Sequence, residues 1–161
     1  MPETFKPKEI KLRTATLDDL AFLYNVSISA MGPVSAILDK GREFDEASRF
    51  REYKENFHPE KIQVILSDQK EVGRLRVVRS GDEIYIGGIQ ILPEFQALGI
   101  GSGVFKDLIV EANNANKVIR LEVHKVNLKA IKFYEKLEFV VDSQTEKQLI
   151  MRYYPTPRSS E

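Results

Sequence analysis

The chain contains no cysteine. That excludes a disulfide framework, thiolate metal sites and a cysteine nucleophile with its acyl-enzyme intermediate. Histidine is almost as scarce: His58 and His124 stand alone and far apart, so no metal is expected. Charge of either sign is lacking in excess, because 24 Lys and Arg face 24 Asp and Glu. The balance argues against nonspecific nucleic-acid binding as the main task, although a local basic patch can hide in a neutral total. No apolar run approaches the length of a membrane span, and the opening MPETFKPKEIK is polar, unlike a signal peptide. No repeat and no shift of composition marks a domain boundary. The expectation is a cytoplasmic protein with one domain over residues 1–161, of which 1–8 and 155–161 are loose tails.

What is present begins with the stretch IQILPEFQALGIGSGVFKDL, residues 89–108. Ile89 and Ile91 end a β-rich run. Pro93 stops it, having no N–H for the ladder. Gln96-Ala97-Leu98-Gly99-Ile100-Gly101-Ser102-Gly103 follows. Ile100, Val104, Phe105, Leu108 and Ile109 then recur at helical spacing. Such a strand–loop–helix junction suits an anion: the first N–H groups of a helix lack internal partners, its dipole is positive there, and glycine lets backbone approach a phosphate. A plain connecting turn fits the spacing equally well. The stretch is neither a Walker loop nor G-x-G-x-x-G.

Upstream, residues 9–13 read as a short strand with Ile10 and Leu12 on one face. Thr16 offers a helix cap, Asp18 and Asp19 favour the positive end, and Leu17, Leu20, Leu23 and Tyr24 form a stripe. Met31-Gly32-Pro33 breaks that helix. A second helix is expected over 45–57, with Phe44, Ala47, Phe50, Tyr53 and Phe57 mostly packed in the core. Strands at 62–66, 71–79 and 83–92 make an antiparallel meander, with an irregularity at Gly73. Gly87-Gly88 marks either room for a ligand or a bulge. After the glycine loop a helix runs to about residue 114 and a strand occupies 117–124. A crossover of this length implies parallel pairing. Asn127 caps a helix striped by Ala130, Phe133, Tyr134 and Leu137, and a hairpin of 139–143 and 147–153 closes the chain.

Two signatures now carry a resemblance. Gln96-x-x-Gly99-x-Gly101, after Ile89-x-Ile91-x-Pro93, resembles the acetyl-CoA loop of the GCN5-related N-acetyltransferases, the GNAT family. Leu121-Glu122-Val123 to Asn127, then Ala130, Tyr134, Lys136 and Phe139, resembles the other motif of that family. LRTATLDDLAFLYNV at 12–26 is similar to its first strand and helix. One departure is Glu138, where the family usually has a glycine in left-handed conformation. Leu92 stands where relatives are usually polar; an exposed Leu there could touch a partner, although a single exposed Leu needs no explanation.

The resemblance implies an α/β (α+β) fold with a mixed sheet of about seven strands and about four helices. It implies acetyl-CoA as cosubstrate and a primary amine as acceptor, a small molecule or a protein N-terminus or lysine, with direct attack in a ternary complex. Neither nucleic acid nor membrane is an expected partner, and a homodimer is compatible with it. Gln96, Ala97, Leu98, Gly99, Ile100, Gly101 and Ser102 would take the pyrophosphate. Ile89, Gln90 and Ile91 would pair with the pantetheine arm, Ile91 N–H would polarise the thioester, and Asn127 would hydrogen-bond the arm. Tyr134 is the implied general acid, as a phenol near pKa 10 facing a thiol near 8.5. Glu122 is the candidate base, with His124 on the same face as the alternative; pairing of Glu122 with Arg120 or Lys125 is its structural reading. Tyr85, Met31, Phe50 and Tyr53 are candidate wall residues of the acceptor cleft. The alternative to an enzyme is a silent acetyl-CoA-binding or assembly module of the same fold.

Overall fold

The structure is a computed structural model, described over residues 9–30 and 46–156. Residues 1–8 and 157–161 of the expected tails, the Met31-Gly32-Pro33 break and Phe44 lie outside the described residues; Thr156, expected in the loose tail, donates its N–H to Asn113 Oδ1 at 2.9 Å. In chain order the elements are β1 Ile10–Thr14, α1 Leu20–Ala30, α2 Glu46–Glu55, β2 Gln63–Ser67, β3 Lys70–Arg79, β4 Glu83–Ile91, α3 Ile100–Ala115, β5 Val118–His124, α4 Leu128–Lys136, β6 Val140–Gln144 and β7 Gln148–Tyr153. The seven strands form one sheet in the order β1-β2-β3-β4-β5-β7-β6. The β4–β5 pair is parallel, as the crossover through α3 requires, whereas β1–β2, β2–β3, β5–β7 and β7–β6 are antiparallel. The closing hairpin therefore inserts β7 between β5 and β6. The α/β class with a mixed seven-stranded sheet is as expected. The chain divides into two compact units, one of Met1–Arg76 with Ile89–Gly103, the other of Val77–Gly88 with Val104–Glu161.

In the first unit, Leu23 and Val26 of α1 are buried, as are Val64 and Ile65 of β2, Val72 and Leu75 of β3, Leu92 and Ile100. Asp68 and Gln69 both have positive φ, the left-handed pair that joins β2 to β3 in a tight hairpin. The irregularity expected at Gly73 is present: Ile65 pairs with Gly73 and Leu66 with Glu71, so Val72 is the extra residue of a bulge. Two expectations fail here. Leu17 is 75% exposed, because residues 17–19 form a 3-10 turn before α1 and the stripe starts only at Leu23. Leu92 is buried rather than presented to a partner; its N–H bonds the Val72 carbonyl at 2.9 Å, which draws it over the core.

Asp19 organises the start of α1. It accepts from Arg13 Nη1 and Nη2 at 2.8 and 2.9 Å and from the Thr16 N–H at 2.8 Å. The Arg13 guanidinium holds its carboxyl down to about 2, against burial, which acts the other way. A depressed carboxyl stabilises the fold above its unfolded value, and that contribution disappears as pH falls from about 4 toward 2. Asp19→Asn is expected to lose about 2 kcal/mol at pH 7 and to flatten the stability curve between pH 4 and 2, read by urea midpoints. An unchanged acid limb would remove Asp19 as its source.

In the second unit, Phe105 is fully buried, with the rings of Phe133, Tyr134 and Phe139 at 5.7, 5.5 and 5.8 Å. The end of α4 keeps the left-handed geometry although glycine is absent: Glu138 has φ 71°. The Phe139 N–H returns to the Tyr134 carbonyl and the Glu138 N–H to that of Glu135, each at 3.0 Å, the pair of bonds that closes a helix over a left-handed residue. Glu138→Gly removes the Cβ strain and is expected to gain about 0.5 to 1 kcal/mol, partly offset by chain entropy. A lower urea midpoint with unchanged slope would show that the Glu138 side chain contributes more than it strains.

Candidate active site

The glycine loop lies wholly in the first unit. Residues 93–95 make a 3-10 turn that carries the chain off β4. Ala97 and Gly99 follow with φ 62° and 85°, both left-handed. A Cβ at Gly99 would meet nothing within 4 Å, so glycine is needed there for conformation rather than for space. The first bond of α3 runs from Gly103 N–H to Gly99 O at 2.9 Å. The N–H groups of Ile100, Gly101 and Ser102 therefore precede the helical ladder, and the open space at Gly99 fits an anion against them. Gln96 does not face such an anion with its amide nitrogen: Nε2 donates to the Ile91 carbonyl at 2.8 Å and ties the loop to the strand end.

β4 is set so that its last peptides have a free edge. The parallel ladder joins Glu83–Ile86 to residues 118–121 and stops, while β4 continues to Ile91. Among the described residues no ladder extends it on that side from Gly87 onward. A Cβ at Gly73 would collide with the Gln90 carbonyl oxygen. That carbonyl is therefore turned onto β3, and the trans peptide aims the Ile91 N–H to the opposite edge. Only glycine at position 73 admits this approach.

The first unit also holds a cleft of about 610 Å³, lined in part by Tyr24, Ser27, Tyr53, Phe57, Arg74 and Gln90. Tyr24 stacks edge-on against Phe50 at 4.9 Å and Tyr53 at 5.4 Å. Tyr53 thus lines this cleft, whereas Phe50 packs on Tyr24 and is not among its described lining residues, and Met31 lies outside the described residues. Sequence reading missed Arg74. It is the second residue after the bulge at Val72, and its guanidinium is drawn inward, with Nη1 donating to Ser27 Oγ at 2.9 Å. Desolvation holds its pKa below the usual arginine value.

The second motif lies in the second unit. The Tyr134 ring is fixed among Phe105, Phe133 and Phe139. Burial pushes its phenol up to about 12. Asn127 caps α4 through Oδ1, which accepts from Ala130 N–H at 3.2 Å and leaves the amide nitrogen as donor. Glu122 is exposed and reaches Arg120 only at 3.5 Å. Arg120 is held chiefly by Glu83, at 2.9 Å, and lies 4.3 Å over the Tyr85 ring. Tyr85 is thereby covered on one face by a cation rather than standing as an open wall. His124 Nδ1 is buried without a hydrogen-bond partner.

Comparison with known proteins agrees with this geometry. The profile of the Acetyltransferase (GNAT) family matches residues 32–139. No curated protein sequence matches the chain. Among solved structures, apo YjaB from Escherichia coli aligns with a TM-score of 0.71 at 18% identity, over 92% of this chain and 99% of that one. The PaiA N-acetyltransferase from Thermoplasma acidophilum, in complex with coenzyme A, gives 0.68 at 18% identity, over 91% and 99%. The ribosomal-protein-S18-alanine N-acetyltransferase from Escherichia coli gives 0.63 at 19% identity, over 95% and 97%. At these identities the likeness is one of fold.

Proposed function

Because the chain belongs to the acetyltransferase (GNAT) family, we propose that it moves an acetyl group from acetyl-CoA to a primary amine by direct attack in a ternary complex. The observation that carries this reading is the junction of β4 with α3: a left-handed glycine loop, three helix N–H groups ahead of the ladder, and an Ile91 N–H aimed away from β3. The capture of a similarly folded N-acetyltransferase with coenzyme A supports it.

In this reading the N–H groups around Gly99, Gly101 and Ser102 hold the pyrophosphate, with Gln96 bracing the loop. Backbone of Ile89–Ile91 pairs with the donor arm, joined by the Asn127 amide nitrogen. Ile91 N–H stabilises the carbonyl oxygen as it gains charge. A nitrogen–carbon bond forms and the carbon–sulfur bond breaks. Glu122, directly or through water, takes the proton that leaves the nitrogen; His124 is the alternative. Tyr134 faces the departing sulfur as general acid. Its raised pKa keeps the proton in place at any working pH but widens the gap to a thiol to about 3.5 units, about 5 kcal/mol. Complete transfer ahead of bond cleavage is therefore unfavourable. Tyr134 acts by donating a hydrogen bond that strengthens as the sulfur gains charge, with the proton passing late.

Saturation with acetyl-CoA at 100 times its dissociation constant is expected to add about 2.7 kcal/mol. For a domain of this size that is a rise of about 5 to 11 °C in Tm, with ATP giving little. No rise would end the donor assignment.

Tyr134→Phe is expected to keep that shift while turnover, read as released thiol, falls by about a hundredfold or more. Unchanged turnover removes Tyr134 from the chemistry. A shift without transfer to any amine would favour a silent binding module.

A further inference from the structure

The cleft of the first unit is strongly cationic within a chain of zero net charge. Arg49, Lys61, Arg74 and Arg76 line it, and among its described lining residues Glu52 is the only carboxylate. Arg74 is half-buried. Its Nη1 is held by Ser27, whose own proton goes to the Leu23 carbonyl at 3.0 Å. Its Nε is buried without a partner. A buried guanidinium normally faces a carboxylate, since an unpaired buried charge is costly. Among the described residues no ion pair includes Arg74.

Three more orphaned polar atoms belong to residues of the same cleft. Tyr24 and Tyr53 each bury a hydroxyl with no partner, and Gln90 buries Oε1 in the same condition. Buried polar groups are nearly always paired, and each exception calls for a reason. The chemistry of the set is uneven: the guanidinium and the two phenols can donate, while Gln90 Oε1 can only accept. Such a set matches a molecule with an oxyanion at one end and an N–H at the other. Gln90 also belongs to the strand segment proposed above to meet the acetyl donor, so the N–H end falls beside the transfer chemistry.

We propose that this cleft is the acceptor site and that the acceptor is a small amine bearing an oxyanion, a carboxylate or a phosphate, bound by Arg74 with Tyr24 and Tyr53, with its amine at Gln90. The assignment as acceptor rests on the acetyltransferase reading; the oxyanion site does not. With Nη1 on Ser27, the edge left for an oxyanion is that of Nε and Nη2, the side-on geometry that makes paired Arg–oxyanion bonds strong.

The test separates the two. Calorimetric titration of the full chain uses acetylated amines, which need no turnover: an N-acetyl amino acid, its neutral carboxamide, and N-acetyl phosphoethanolamine. An anionic ligand is expected to bind at least about tenfold more tightly than the carboxamide, a discrimination typical of charge-assisted hydrogen bonds. Arg74→Gln abolishes the difference. Tyr53→Phe, which deletes one hydroxyl and keeps the ring packing, reduces it and guards against a folding failure of the first variant. Preference between carboxylate and phosphate identifies the source of the oxyanion. Equal binding of anion and carboxamide, no binding of any, or discrimination that survives Arg74→Gln would overturn the proposal. In parallel, thiol release is followed with the free amines and their neutral counterparts. Discrimination in binding without turnover would sink the acetyltransferase reading and leave the oxyanion site standing.

Discussion

The orientation of one peptide, between Gln90 and Ile91, governs the chemistry available to the first unit. Its carbonyl is turned onto β3, where Gly73 leaves room for it. The planar trans linkage then fixes the Ile91 N–H toward the other edge. On the two sides of this peptide, the Ile91 carbonyl receives the Gln96 amide and the Gln90 side chain lines the cationic cleft. A residue with a Cβ at position 73 must push the Gln90 carbonyl away. That movement would reach the loop, the N–H and the cleft together. The bulge at Val72 is the adjustment that lets β3 present a glycine there and still bury Val72 and Leu75.

Much of this was legible from the residues. Apolar periodicity located all seven strands, because each buries at least one alternating side chain or pairs with a strand that does. Gly99 marked the loop, since few residues tolerate its left-handed backbone. Asn127 as a cap followed from its place before an amphipathic run. What was not legible depends on how the chain folds back. Arg13 meets Asp19 across the turn that leads into α1, and Arg74 meets Ser27 of another element, and no periodicity encodes either. Leu92 stands where relatives are usually polar, yet it is buried, with its N–H bonded to the Val72 carbonyl. Leu17 failed for the opposite reason: the 3-10 turn rotates it out of the stripe that the 3.6-residue period describes.

Tyr134 and Arg74 show how burial alone does not define a role. Both are polar groups drawn out of water, and desolvation moves each toward its neutral form: the phenol keeps its proton and the guanidinium holds its own less tightly. For Tyr134 the neutral form is the working form. The phenol needs only its hydroxyl proton, its ring is paid for by Phe105, Phe133 and Phe139, and the helix end that Glu138 closes returns a hydrogen bond to the Tyr134 carbonyl. For Arg74 the neutral form is inaccessible at ordinary pH, because an arginine starts so far above it. The charge persists, and among the described residues no carboxylate pairs with it.

That unbalanced charge is what distinguishes the cleft from a packed core containing a few tyrosines. A core of Tyr24, Tyr53 and Phe57 would be satisfied by ring contacts and would gain from a methionine or leucine at position 74. Retaining arginine there opposes folding, since replacing a buried charge with a well-packed apolar side chain is often stabilising. The same logic covers the two phenols, whose rings would pack equally well as phenylalanines without burying hydroxyls. Donors left open on one wall and an acceptor left open at Gln90 are each unfavourable for the empty protein. Together they cease to be unfavourable when one molecule satisfies them all. Binding energy of that kind is specific, because an amine lacking the oxyanion leaves Arg74 as unpaired as before.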